Sequence, residues 1–140
     1  MLITRRVEFS ASHVCRVPSW SDDQNRATYG EAAHPHGHGH NYLVEVSVGG
    51  VPDPITGMII DLKDLKQILE EEIVEPMDHR FLNYEVKPFD TVVPTAENVA
   101  LEIWRRLNER LHGIPAHLHR VRLYETADLY VDVVGGRDAK

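Results

Sequence analysis

Polar and apolar residues alternate from residue 2 to residue 13, with Ile3, Val7, Phe9 and Ala11 on one side and Thr4, Arg6, Glu8, Ser10 and Ser12 on the other. A period of two places these sets on opposite faces of a strand. The same period returns over residues 38–48, where His38, His40, Tyr42, Val44, Val46 and Val48 share one face and Asn41, Leu43, Glu45 and Ser47 the other. Asp53-Pro54-Ile55-Thr56-Gly57 is turn chemistry,. The period then changes. Leu62, Leu65, Ile68, Leu69 and Ile73 recur at three- and four-residue spacing behind Asp61, a capping residue, and predict a helix ending near Pro76,. Thr95 caps a second predicted helix with Val99, Ile103, Leu107 and Leu111 as its apolar stripe, Glu97 suited to its first turn and an end near Gly113,. Residues 121–126 and 129–134 read as a hairpin around Ala127-Asp128,. Residues 15–37 and 77–94 show no sustained period and predict long loops, and the tail from Gly135 to Lys140 reads as frayed,. The order strand-strand-helix-helix-strand-strand predicts one α+β domain over residues 1–140, a four-stranded antiparallel sheet with two helices on one face.

The bulk numbers narrow the chemistry. A chain of 140 residues is long enough for one core and short for two,. No apolar run approaches the ~20 residues that span a bilayer, and the first residues lead straight into a strand pattern, so the expectation is a soluble, cytoplasmic protein. Cys15 is the single cysteine, which rules out an intrachain disulfide and a four-cysteine zinc site,. A net charge of −7, without a basic cluster, argues against nucleic acid or anionic membrane as partner,. Of nine histidines, His13, His34, His36, His38 and His40 fall in the first 40 residues.

His38-Gly39-His40 presents two imidazoles on one strand face, and His13 closes the first strand on the face of Phe9 and Ala11,. A neighbouring antiparallel strand brings the third imidazole opposite the pair. Three histidines with an open fourth position describe catalytic rather than structural zinc. Any one of them alone reads as easily as a solvated histidine titrating near neutrality. The His-X-His pair on an otherwise apolar face favours metal.

Phe9-Ser10-Ala11-Ser12-His13, Gly37-His38-Gly39-His40-Asn41-Tyr42, Asp53-Pro54-Ile55-Thr56-Gly57-Met58, Met77-Asp78-His79, Pro94-Thr95-Ala96-Glu97-Asn98 and Tyr124-Glu125-Thr126 follow one another in the order and spacing of the 6-pyruvoyl- and 6-carboxy-tetrahydropterin synthase family, which the chain resembles over nearly its whole length. The resemblance implies the tunnelling fold, an oligomeric barrel built as a homohexamer of two stacked trimers, and Zn2+ on His13, His38 and His40. It implies a proton relay at Asp78 and His79, a carboxylate at Glu125 for the aminopyrimidine edge of a pterin, and Thr95 and Glu97 beside it. The substrate it implies is 7,8-dihydroneopterin triphosphate; Arg5, Arg6, Arg16 and Arg26 are the basic residues considered for the triphosphate.

The family's usual cysteine base is missing. It stands six residues ahead of the paired histidines in animal-like members and four ahead in many bacterial ones, and here those positions are Ala32 and His34. Glu31 is the leading substitute, since a carboxylate serves as base where burial raises its pKa; Cys15 and His34 are the others. The main expectation is a zinc-dependent lyase of the 6-carboxy-tetrahydropterin synthase type. Pyruvoyl synthesis, formation of a 6-hydroxymethyl pterin, and a non-catalytic pterin- or zinc-binding protein are the alternatives.

Overall fold

The computed structural model describes residues 1–136; residues 137–140, most of the tail read as frayed, lie outside the described residues. The chain runs β1 (Leu2–His13), α1 (Asp22–Tyr29), a 3-10 turn (Gly30–Ala33), β2 (His38–Gly49), α2 (Leu62–Leu69), a π turn (Glu70–Val74), α3 (Glu75–Met77), β3 (Arg80–Phe81), α4 (Leu82–Glu85), α5 (Ala96–Arg110), β4 (His117–Thr126) and β5 (Leu129–Val134). The sheet order is β3-β1-β2-β4-β5. All pairings are antiparallel except that of β3 with β1.

The α+β class stands, whereas the four-stranded antiparallel sheet with two helices does not. The sheet has five strands and is mixed, and helices beyond the two predicted are present. The reasons are local. β3 is two residues long, too short to print a period, and is laid along β1 by the His79 N–H donating to the Ser10 carbonyl at 2.6 Å. α1 carries no apolar stripe, because its one buried residue is Asn25. The first predicted helix ends near Pro76 as expected, at Met77, but it is not one regular α-helix: it widens into the π turn, where the Glu75 N–H reaches back to the Glu70 carbonyl, before closing. A wider turn relieves the clash that a proline ring makes with the preceding turn.

The inner face of the sheet forms the core. Val7, Phe9, Tyr42, Val44, Val46, Val121 and Leu123 pack against Leu65, Leu69 and Ile73 of the first helical run and Val99, Ile103 and Leu107 of α5. Each fully buried aliphatic side chain contributes about 1.5–3 kcal/mol. Asp61 caps α2 by accepting from the Lys63 N–H at 2.8 Å, and Thr95 caps α5 by accepting from the Asn98 N–H at 3.3 Å. On the outer face Glu45 is also buried, which its pairing with Arg6 (2.9 Å) and Arg120 (3.5 Å) makes tolerable,. Among the described residues no helix is long and apolar enough to cross a membrane.

Two asparagines fasten the segment after β1. Asn83 accepts from the Val14 N–H and donates to the Val14 carbonyl, both at 2.9 Å. Asn25 accepts from the Val17 N–H at 2.7 Å and donates to the Val17 and Ser21 carbonyls at 3.1 and 3.2 Å. Asn25→Ala leaves these buried groups without partners, at about 1–3 kcal/mol. The expected result by hydrogen exchange is faster amide exchange across residues 15–33, with β2 still protected.

Candidate active site

The register of β1 with β2 sets His13 opposite His38 and Ala11 opposite His40, so the period of two on each strand brings three imidazoles onto the inner face,. Gly37 makes the entry possible. Its φ of 74° is a left-handed conformation, and a Cβ there would stand 3.0 Å from the His13 carbonyl oxygen,. The three ligand nitrogens lie within 4.8 Å of one another, and His13 Nε2 is 3.1 Å from His38 Nε2.

His13 is 1% exposed, and its Nδ1 lies 2.6 Å from the Pro94 carbonyl oxygen. A carbonyl only accepts, so Nδ1 carries the proton and Nε2 presents a lone pair to the cluster. Burial pushes the His13 pKa down to about 4, against the raising effect of that hydrogen bond, with His38 and His40 adding to the fall. Burial likewise lowers His40, with Glu125 opposing. His40 Nε2 is buried and makes no hydrogen bond. Neutral imidazoles, a fixed tautomer and an orphaned nitrogen suit a metal ion: ligands about 2.0–2.1 Å from a tetrahedral zinc stand roughly 3.3 Å apart.

Glu125 Oε1 is 3.5 Å from His40 Nε2. It occupies an irregularity in the β4–β5 register, between Tyr124 and Thr126. Tyr42 lies beneath the cluster, stacked on Phe9 with ring centroids 4.8 Å apart and edge-on to His40 at 5.5 Å. Thr95 begins α5 directly after Pro94, and Glu97 is exposed in the first turn of that helix.

Asp78 and His79 form the expected pair, Asp78 Oδ2 lying 2.8 Å from His79 Nδ1. The Ser10 N–H donates to Asp78 Oδ1 at 2.8 Å, and it, more than the imidazole, holds Asp78 below the usual carboxylate range. His79 has φ 58°, a left-handed conformation costly for a side chain of its size, and is fixed by its backbone bond to Ser10,. The imidazole is 83% exposed and borders a cleft of about 580 Å3 with Ser10, Ser12, Asn41, Phe81 and Glu85. Ser10, Ser12 and Asn41 alternate out of the face that holds the triad. His79 thus sits on the side of the sheet that Ser10, Ser12 and Asn41 face, in a cleft that His40 also borders, while the three imidazoles gather on the inner face.

Glu31 is exposed on the 3-10 turn, which is tied to the end of β1 by the Cys15 N–H donating to the Ala32 carbonyl at 2.8 Å. Cys15 is buried, and burial pushes its thiol up to about 11, with Glu125 and Glu97 adding to the rise. His34 is exposed, its Nδ1 accepting from the His36 N–H at 3.3 Å. Arg6 and Arg16 are engaged by Glu45 and Asp22. Reading the sequence alone passed over Pro94, whose role is carried by a carbonyl, and Tyr42, whose alternation marked it only as core.

The family model described as 6-pyruvoyl tetrahydropterin synthase matches residues 2–135. A Homo sapiens 6-pyruvoyl tetrahydrobiopterin synthase is 46% identical over 125 residues, covering 89% of this chain and 84% of the relative. The structure of the Caenorhabditis elegans 6-pyruvoyl tetrahydropterin synthase superposes with a TM-score of 0.90 at 33% identity, covering 97% of this chain and 96% of that one. An Archaeoglobus fulgidus putative 6-carboxy-5,6,7,8-tetrahydropterin synthase is 36% identical over 96 residues, 69% of this chain and 74% of the relative. The expectation of a 6-carboxy product is overturned by this ordering, because the stronger and longer likenesses are to pyruvoyl-forming synthases. The non-catalytic alternative falls with it: the chain has the tunnelling-type α+β fold, is an enzyme with a lyase site of pterin-synthase chemistry, and belongs to the 6-pyruvoyl tetrahydropterin synthase family.

Proposed function

We propose that this chain forms 6-pyruvoyl tetrahydropterin from 7,8-dihydroneopterin triphosphate, with zinc held by His13, His38 and His40. The observation that carries the reading is the cluster of three imidazole nitrogens, His13 buried and His38 and His40 half-buried, in a chain this similar to the human synthase. Zinc bound there supplies a Lewis acid for the side-chain oxygens of the pterin, which acidifies the neighbouring C–H bonds.

The protein's own groups do the rest. Glu125 accepts the parallel N–H donors of the aminopyrimidine edge and sets the side chain over the triad. Thr95 and Glu97 border that end of the pocket. Asp78 keeps His79 in the tautomer with Nδ1 protonated, leaving Nε2 free to accept a proton and return it as the triphosphate departs. Glu31 is the base on the side chain, in place of the usual cysteine. Burial keeps Cys15 a thiol, whereas Glu31 is a carboxylate on a turn tied to the end of β1.

The assembly is a cytoplasmic homohexamer in which one copy's relay serves another copy's triad. What supports this is the placement of His79 and the triad on different sides of the sheet.

Zinc-loaded protein given 7,8-dihydroneopterin triphosphate is expected to release inorganic triphosphate and a pyruvoyl pterin, both seen by mass spectrometry; a carboxy pterin with acetaldehyde would sink the reading. His38→Ala is expected to lose bound zinc, measured by elemental analysis, together with turnover. Glu31→Ala should lower kcat by about 10²–10⁴-fold with zinc retained. Cys15→Ser should leave kcat little changed, and native Cys15 should react with a thiol reagent far more slowly than in the unfolded chain.

A further inference from the structure

Tyr42 carries a polar group that the site described above leaves unexplained. Its ring is fully buried, and its hydroxyl is enclosed without a hydrogen-bond partner. Buried hydroxyls are normally satisfied, so an orphan one asks for a reason. Its position supplies one. β2 pairs with β4 with Leu43 opposite Tyr124 and Val44 opposite Leu123. Glu125 is the next residue along β4, and its Oε1 lies 3.5 Å from Nε2 of His40, two residues from Tyr42 on the same face of β2. Phe9 and Tyr42 form one row across the sheet, next to the row of Ala11 and His40 that Glu125 reaches.

Glu125 here leans toward His40, whose Nε2 lies 3.5 Å from its Oε1. That nitrogen is the one the triad offers to a metal, and a metal there removes it as a partner for the carboxylate. The Tyr42 hydroxyl, on a ring 5.5 Å from that of His40, is an enclosed donor without a partner beside it. We infer that Tyr42 is a positioning residue for Glu125, its hydroxyl donating to one carboxylate oxygen in the zinc-loaded protein so that the other faces the pterin. The inference rests on the assignment of Glu125 to the pterin made above. Tyr42 touches neither metal nor substrate in this scheme and acts only through Glu125.

The test is a double-mutant cycle on the zinc-loaded protein, with neopterin as the probe and its fluorescence as the readout. Tyr42→Phe is isosteric, so in the metal-free protein, where it removes an unsatisfied hydroxyl, its Tm should equal or exceed that of the wild type, and the zinc content of the loaded protein should be unchanged,. Its Kd for neopterin should nevertheless rise about tenfold, the loss of one hydrogen bond to a charged group. Glu125→Gln should weaken binding further, and adding Tyr42→Phe to it should change Kd by less than about twofold, because the coupled partner is already gone. An unchanged Kd in Tyr42→Phe, or independent effects of the two substitutions, would overturn the role of Tyr42 while leaving the pterin site standing. Failure of the wild type to bind neopterin would overturn both. A purely structural tyrosine would lower Tm and leave the cycle additive.

Discussion

The register of β1 against β2 is the constraint on which the rest depends. Twelve consecutive residue pairs, from Leu2 with Gly49 to His13 with His38, place every core side chain of both strands on one face. A slip of one residue would send Val44, Val46 and Val48 to the outer face and carry His38 and His40 away from His13. Core and histidine cluster are therefore specified by the same hydrophobic pattern. The stabilisation of that register comes from burial along the whole strand pair, which exceeds any single contact in the site. The site can then hold neutral, buried imidazoles and a carboxylate beside them without deciding the fold.

The two sides of the sheet divide the chemistry. On the helix-covered side, burial depresses His13 and His40, and the Pro94 carbonyl fixes which nitrogen of His13 is free. On the other side, His79 is exposed and held by backbone bonds to Ser10 in a conformation that side chains rarely adopt. Strain of that kind persists only where neighbouring structure enforces it. Here the enforcing group is Ser10, three residues from His13 on the same strand. A single strand thus fixes both the His13 imidazole and the Asp78–His79 pair, although the two face different directions.

Much of this was legible before the structure. Period-two alternation located β1 and β2, and capping with three- and four-residue spacing located the starts of α2 and α5, because both signals come from burial of whole faces. The His-X-His spacing located the triad for the same reason. What escaped was held by polar groups acting singly. α1 is organised by the buried amide of Asn25, β3 by backbone bonds to Ser10, and the tautomer of His13 by a carbonyl of Pro94. None of these leaves a period. The product assignment failed for another reason: pyruvoyl and carboxy synthases share the motifs that were read, and only similarity along the rest of the chain separates them.

The absent cysteine becomes intelligible in the same terms. Ala32 stands at its position and accepts a hydrogen bond from the Cys15 N–H, so the turn still reaches the end of β1 although it no longer carries a thiol. A thiolate base needs an electropositive, partly open setting. The one thiol remaining in this chain is buried near two carboxylates, which favour its neutral form. Burial thus keeps the thiol at position 15 from standing in as a thiolate, and the role of base passes, in the reading proposed above, to Glu31, next to Ala32 on an exposed turn.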